Sequence, residues 1–82
     1  MPAAYPASPQ PVASLYADHH GWLQALLRRR LGNGCDAADL AHDAFVRLLS
    51  KPRSFDSFEG ARAYLSTVAR GLCVDLWRRR EI

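Results

Sequence analysis

Eighty-two residues, 49% of them hydrophobic and 23% charged, make one small folded domain and exclude a disordered chain. Eleven lysines and arginines against 8 acids leave a net charge of +3, which points to an anionic partner, nucleic acid first among them. The 2 cysteines have no CxxC spacing and cannot build a disulfide framework or a zinc site, and no apolar run approaches the roughly 18–20 residues that a membrane span needs.

The N-terminus lacks the basic-then-apolar order of a signal peptide, so a cytoplasmic location is expected. Residues 1–11 hold four prolines and no charge, can neither build a hydrogen-bonded helix nor bury much, and read as a flexible tail before a domain at residues 12–82. Leu15, Tyr16, His19, Trp22, Leu23, Leu26 and Leu27 recur at intervals of three and four, which predicts a helix from about Val12 to Leu31. Gly32-Asn33-Gly34 then supplies residues suited to a helix C-terminus and a tight turn.

A second helix is expected to start at Asp36 as N-cap, with Asp39 also near the positive end of its dipole. Ala37, Leu40, Ala41, Ala44, Phe45 and Leu48 form its apolar side, and Pro52 requires it to stop beforehand. Lys51 to Ser57 reads as a loop. Asp56 with Glu59 three residues on resembles a capping box for a third helix, whose stripe is Ala61, Tyr64, Leu65, Val68, Ala69, Leu72 and Leu76 and whose end lies at or beyond Arg79. No stretch alternates as a strand does, so the fold class is all-α, a compact three-helix domain without internal repeat.

Once these stripes are buried, the residues left over are informative. Projection at about 100° per residue puts Asp39, His42, Asp43 and Val46 on the outward side of the second helix. Spacing alone leaves two readings of that face, a solvated acidic surface or a docking surface. On the third helix Ser66, Arg70 and Trp77 share a narrow outward sector, with Thr67, Val74 and Arg78 at its edge. Either Trp77 packs on the first helix or on a missing neighbour, or it offers a stacking surface to an unpaired base beside arginines that contact phosphate.

Arg28-Arg29-Arg30 closes the first helix, where cations suit the negative end of the dipole, so its role reads as structural. Arg78-Arg79-Arg80 would neutralise phosphates. Asp75 precedes Arg79 by four residues, the favourable order for an intrahelical pair. Charge is sorted along the chain: residues 1–35 carry +2, residues 36–50 carry −2 and residues 51–82 carry +3. No phosphate-cradling glycine loop, paired-carboxylate motif or histidine spacing for a metal is present, so no catalytic residue, metal or cofactor is expected, and His19 reads as a core-edge histidine.

The order of these pieces carries a resemblance. Asp36-Ala37-Ala38-Asp39-Leu40-Ala41-His42-Asp43-Ala44-Phe45-Val46-Arg47-Leu48 resembles region 2.2 of the extracytoplasmic-function sigma factors, a subfamily of the sigma-70-type sigma factors of RNA polymerase. Ala63-Tyr64-Leu65-Ser66-Thr67-Val68-Ala69-Arg70-Gly71-Leu72-Cys73-Val74-Asp75-Leu76-Trp77-Arg78-Arg79 resembles their regions 2.3 and 2.4, and the first helix fits region 2.1. The wording of the later motif is most similar to the iron-starvation subgroup, which switches on siderophore-uptake genes.

The resemblance implies a region 2 domain that is not an enzyme. It implies that Asp39, His42, Asp43 and Val46 meet the β′ clamp helices of core polymerase, and that Phe58, Ser66, Thr67, Arg70, Trp77 and Arg78 meet the minus-ten promoter element. An anti-sigma factor is implied as a further partner. Two positions depart from the pattern. His42 stands where glutamine is usual, from which pH-sensitive clamp binding is expected, and Gly71 stands where many members carry an asparagine that helps hold a flipped base, a loss that Phe58, in the loop entering the third helix, is expected to offset in part. The family's region 4 is absent from these residues, so the chain reads as a domain fragment. A helical protein-interaction module whose basic face meets an acidic protein is the rival reading; Trp77 beside arginines and Ser66 suits stacked bases better than carboxylates.

Overall fold

The computed structural model describes residues 11–81, and the expected tail therefore lies, apart from Pro11, outside the described residues. Three helices follow one another, α1 (Val12–Leu31), α2 (Gly34–Ser50) and α3 (Phe58–Arg80), with no strand among the described residues. α1 stops where Gly32 turns to a left-handed φ of 78° and donates its N–H to the Arg28 carbonyl at 2.8 Å, a geometry that glycine adopts without steric cost.

Both remaining N-caps differ from the expected ones by choice of neighbour. Asn33, not Asp36, caps α2: its backbone is extended and its Oδ1 accepts the Asp36 N–H at 2.8 Å. A cap must lie outside helical geometry and reach the amide three residues on, and the turn after Gly32 puts residue 33 in that position. Asp36 becomes a residue of the first turn, where its carboxylate accepts from Asn33 Nδ2 at 2.8 Å. Likewise Ser57, not Asp56, caps α3, with Oγ accepting the Gly60 N–H at 2.9 Å.

The core lies between the three helices. Leu15, Leu23 and Leu27 of α1 meet the whole expected apolar side of α2, and Ala61, Leu65, Ala69 and Leu72 close it from α3. Tyr64, Val68 and Leu76 pack at its margin. Phe55, in the connection the sequence marks only as a loop, is also buried, with its ring 5.5 Å from Tyr64. Arg53 lies 4.3 Å from the Tyr64 ring centroid, so the connection is pinned at two points.

Two expectations need correction, and one residue joins the core from outside the expected stripe. Cys73 belongs to the core at 0% exposure, and burial pushes its thiol up; it sits four residues after Ala69 and eight after Leu65, on the same line. Tyr16 is not core but 43% exposed. Asp75 and Arg79 both line the cleft between α2 and α3, but both are exposed and form no ion pair among the described residues. The expected intrahelical pair is absent there.

The cap geometry sets a direct test. Ser57→Ala is expected to cost about 1 kcal/mol of stability, while Asp56→Ala stays within about 0.5 kcal/mol, as read by urea unfolding. Equal losses would return the cap to Asp56.

Candidate functional site

α2 buries one side completely, and the other is correspondingly free. Asp39, His42, Asp43 and Val46 are all exposed, as the projection expects. α1 adds to this face a part that the sequence reading does not include. A shallow, mainly apolar groove is lined by Val12, Ala13 and Tyr16 of α1 with His42, Phe45, Val46 and Leu49 of α2. Leu49 is 64% exposed and Val46 42%, so apolar surface stands open beside the acidic pair. The signal for Leu49 is present in the sequence, since seven residues return the helix to within about 20° of His42. Tyr16 is held by its ring against Phe45 at 5.1 Å, edge on, and against His20 at 4.4 Å, stacked.

α3 presents the second face. Arg70, Trp77, Arg78 and Thr67 are exposed, and Ser66 and Val74 are half-buried. Trp77 keeps 42% of its surface open. Thr67 donates its hydroxyl to the Ala63 carbonyl at 3.1 Å. At Gly71 a Cβ would meet nothing within 4 Å, which leaves open space at the position where the resembled family carries asparagine.

Phe58 is the first residue of α3 rather than part of the loop before it, and it is 41% exposed. A cluster fixes it there. Arg62 lies 4.5 Å from the Phe58 ring centroid and 4.6 Å from that of Trp22, so its guanidinium is sandwiched between rings from α3 and α1. Its Nε–H donates to His19 Nδ1 at 3.3 Å, and the His19 ring lies 4.5 Å from Phe58. Arg62 is the residue that sequence reasoning misses; its spacing of four from Phe58 is visible, but Trp22 and His19 reach it only through the packing of α1 on α3.

The two faces adjoin. Asp43 and Arg47 of α2 share a cleft with Leu72, Asp75, Arg78 and Arg79 of α3. At one end of the domain Arg80 Nη1 pairs with Asp36 Oδ2 at 2.7 Å, and the Arg80 guanidinium together with the Asn33 amide holds the Asp36 carboxyl below its ordinary range. Among the described residues no group of three or more His, Cys, Asp or Glu side chains could hold a metal ion, and no helix is long and apolar enough to cross a membrane.

Comparison with known proteins decides the family. Residues 15–81 match the model of Sigma-70 region 2. The chain belongs to the sigma-70 family as a region 2 domain. It is 39% identical over 69 residues, 84% of its length, to the ferric citrate uptake sigma factor FecI of Escherichia coli (strain K12), which places it in the extracytoplasmic-function branch with a FecI-like sequence. The chain spans 39% of that relative's length. No solved structure matches it. The sigma-70 region 2 match contains every residue of the two faces except Val12 and Ala13, and the family is not one of enzymes.

His19 gives this region 2 domain a defined acid response. Burial lowers its pKa from the ordinary 6.5, the Arg62 charge lowers it further, and Asp18 opposes them. A depressed histidine pKa leaves stability untouched above about 6.5 and removes it below, because there the unfolded chain binds a proton that the folded one refuses. The melting temperature is therefore expected to fall as the pH drops below 6.5, and His19→Gln is expected to flatten that fall. A wild-type melting temperature that rises over the same interval would refute it.

Proposed function

We propose that this sigma region 2 domain docks on core RNA polymerase through the outward side of α2 and captures the minus-ten promoter element with α3, directing transcription initiation. The observation that carries the reading is the exposed α2 face. Asp39, His42, Asp43 and Val46 lie together there, unburied, at positions that resemble the polymerase-binding motif of the family. Acidic side chains around exposed valine and leucine suit a partner helix pair with basic and apolar side chains, since the apolar centre supplies burial and the charges set orientation.

On this proposal Trp77 stacks on an unpaired base, Arg70 and Arg78 meet phosphates, and Ser66 and Thr67 line the strand's path. Phe58, held by Arg62, forms part of the pocket for a flipped base. The family resemblance supports an anti-sigma factor as a further partner. FecI is by name a ferric citrate uptake sigma factor, and the likeness to it supports iron-uptake genes as the target of this chain. The domain acts by binding, without a cofactor.

The experiment is a pull-down of core polymerase with the 82-residue chain, beside titration of single-stranded DNA carrying the minus-ten sequence into the complex. Asp43→Arg and Val46→Glu are expected to weaken polymerase capture at least tenfold with unchanged melting, because each places unmatched charge in the docking face without opening a cavity. Trp77→Ala is expected to leave capture intact and to cost about 1–3 kcal/mol of DNA affinity. Unaltered capture by both α2 variants would remove the assignment of that face.

A further inference from the structure

The two triple-arginine runs stand fifty residues apart in sequence, yet folding brings them to the same end of the domain. Arg80 pairs with Asp36 at 2.7 Å, in the first turn of α2. Arg28 reaches that same turn, since a Cβ on Gly34 would lie 3.5 Å from its Nη2. Arg30 is near enough to α3 for its charge to oppose the effect of burial on the Cys73 thiol. All six arginines are exposed, and among the described residues only Arg80 has an ion-pair partner.

A structural role at helix ends does not account for this concentration. A helix C-terminus presents roughly half a negative charge, which a single cation satisfies. Six guanidinium groups around two adjacent helix ends outnumber the acids beside them, Asp36 and Glu81, and leave an excess of positive charge that a polyanion would balance. Choice of residue sharpens the class of anion. Every basic residue of this end is arginine, whose planar fork matches phosphate oxygens in pairs. Position then distinguishes nucleic acid from an acidic protein, because Arg78 is continuous with the outward sector of Arg70 and Trp77. Packed helices are about 8–10 Å apart, a separation that a run of successive backbone phosphates can bridge.

We propose that Arg28, Arg29 and Arg30 join Arg78, Arg79 and Arg80 in one phosphate-binding surface for duplex DNA flanking the base-reading face of α3. This deepens the proposed promoter-binding role and rests on it. The α1 run thereby gains a binding role, and Arg80 is positioned by Asp36 at the centre of the surface.

The test is the salt dependence of binding to a labelled 30-base-pair duplex of arbitrary sequence, measured with the whole chain. Replacing Arg28, Arg29 and Arg30 together by serine is expected to lower the slope of log K against log salt by about 2–3, at about 0.9 per phosphate contact, while Lys51→Ser leaves it unchanged. Should the triple variant fail to fold, Arg29→Ser alone is expected to lower the slope by about 1, and lysine at all three positions to restore most of it. An unchanged slope, with Trp77→Ala still weakening single-strand binding, overturns the arginine surface and leaves base capture standing. A lowered slope with no effect of Trp77→Ala keeps the surface and removes base capture. Loss of binding to polyglutamate without any change toward DNA would assign the arginines to an acidic protein and overturn the proposal.

Discussion

Burial of a single side of α2 is the constraint on which the rest of the structure depends. Ala37, Leu40, Ala41, Ala44, Phe45 and Leu48 face the other two helices, and three of the six are alanines that let those helices approach closely. A domain of this size can afford only one thin core. Once α2 has turned this side inward, Asp39, His42, Asp43 and Val46 cannot contribute to it, and their types are free to be set by a partner. The same holds for α3, whose buried line through Ala61, Leu65, Ala69, Leu72 and Cys73 leaves Arg70, Trp77 and Arg78 outside.

That economy also brings the two faces close together. The cleft between α2 and α3 is bordered by Asp43 and Arg47 on one side and by Asp75, Arg78 and Arg79 on the other. On the proposed function, polymerase and promoter therefore meet the domain along adjoining edges, and Asp43 keeps a phosphate chain from sliding off α3 onto the docking face by like-charge repulsion. Arg78 and Arg79 border the same cleft, so on that proposal the arginine end of α3 continues the path of the DNA away from the docking face. Arg62, caught between Trp22 and Phe58, links the start of α3 to α1 and fixes the exposed ring at the point where α3 begins.

Much of this was legible in the residues. The bounds of α1, the buried side of α2 and the outward sectors follow from periodicity, because in so small a helical domain a stripe has one place to go. Caps were less legible for a local reason. Asn33 and Asp36, like Asp56 and Ser57, are all competent caps, and the backbone of the preceding turn selects between them. Leu49 and Cys73 carry a helical signal, since Leu49 follows His42 by seven residues and Cys73 follows Ala69 by four. The Arg62 sandwich, the burial of Phe55 and the convergence of the arginine runs depend on contacts between helices, which no single-helix pattern contains. Asp75 and Arg79, favourably spaced, stay apart for a different reason: a pair exposed to water gains too little to hold two side chains together.

The central claim is that the core leaves two distinct surfaces for two distinct partners. Photo-crosslinking in the assembled complex of chain, core polymerase and promoter DNA tests it most directly, with a benzophenone side chain placed in turn at positions 46 and 77. The expected result is a polymerase-subunit adduct from position 46 and a DNA-strand adduct from position 77. Adducts to the same partner from both positions, or the reverse assignment, would contradict it.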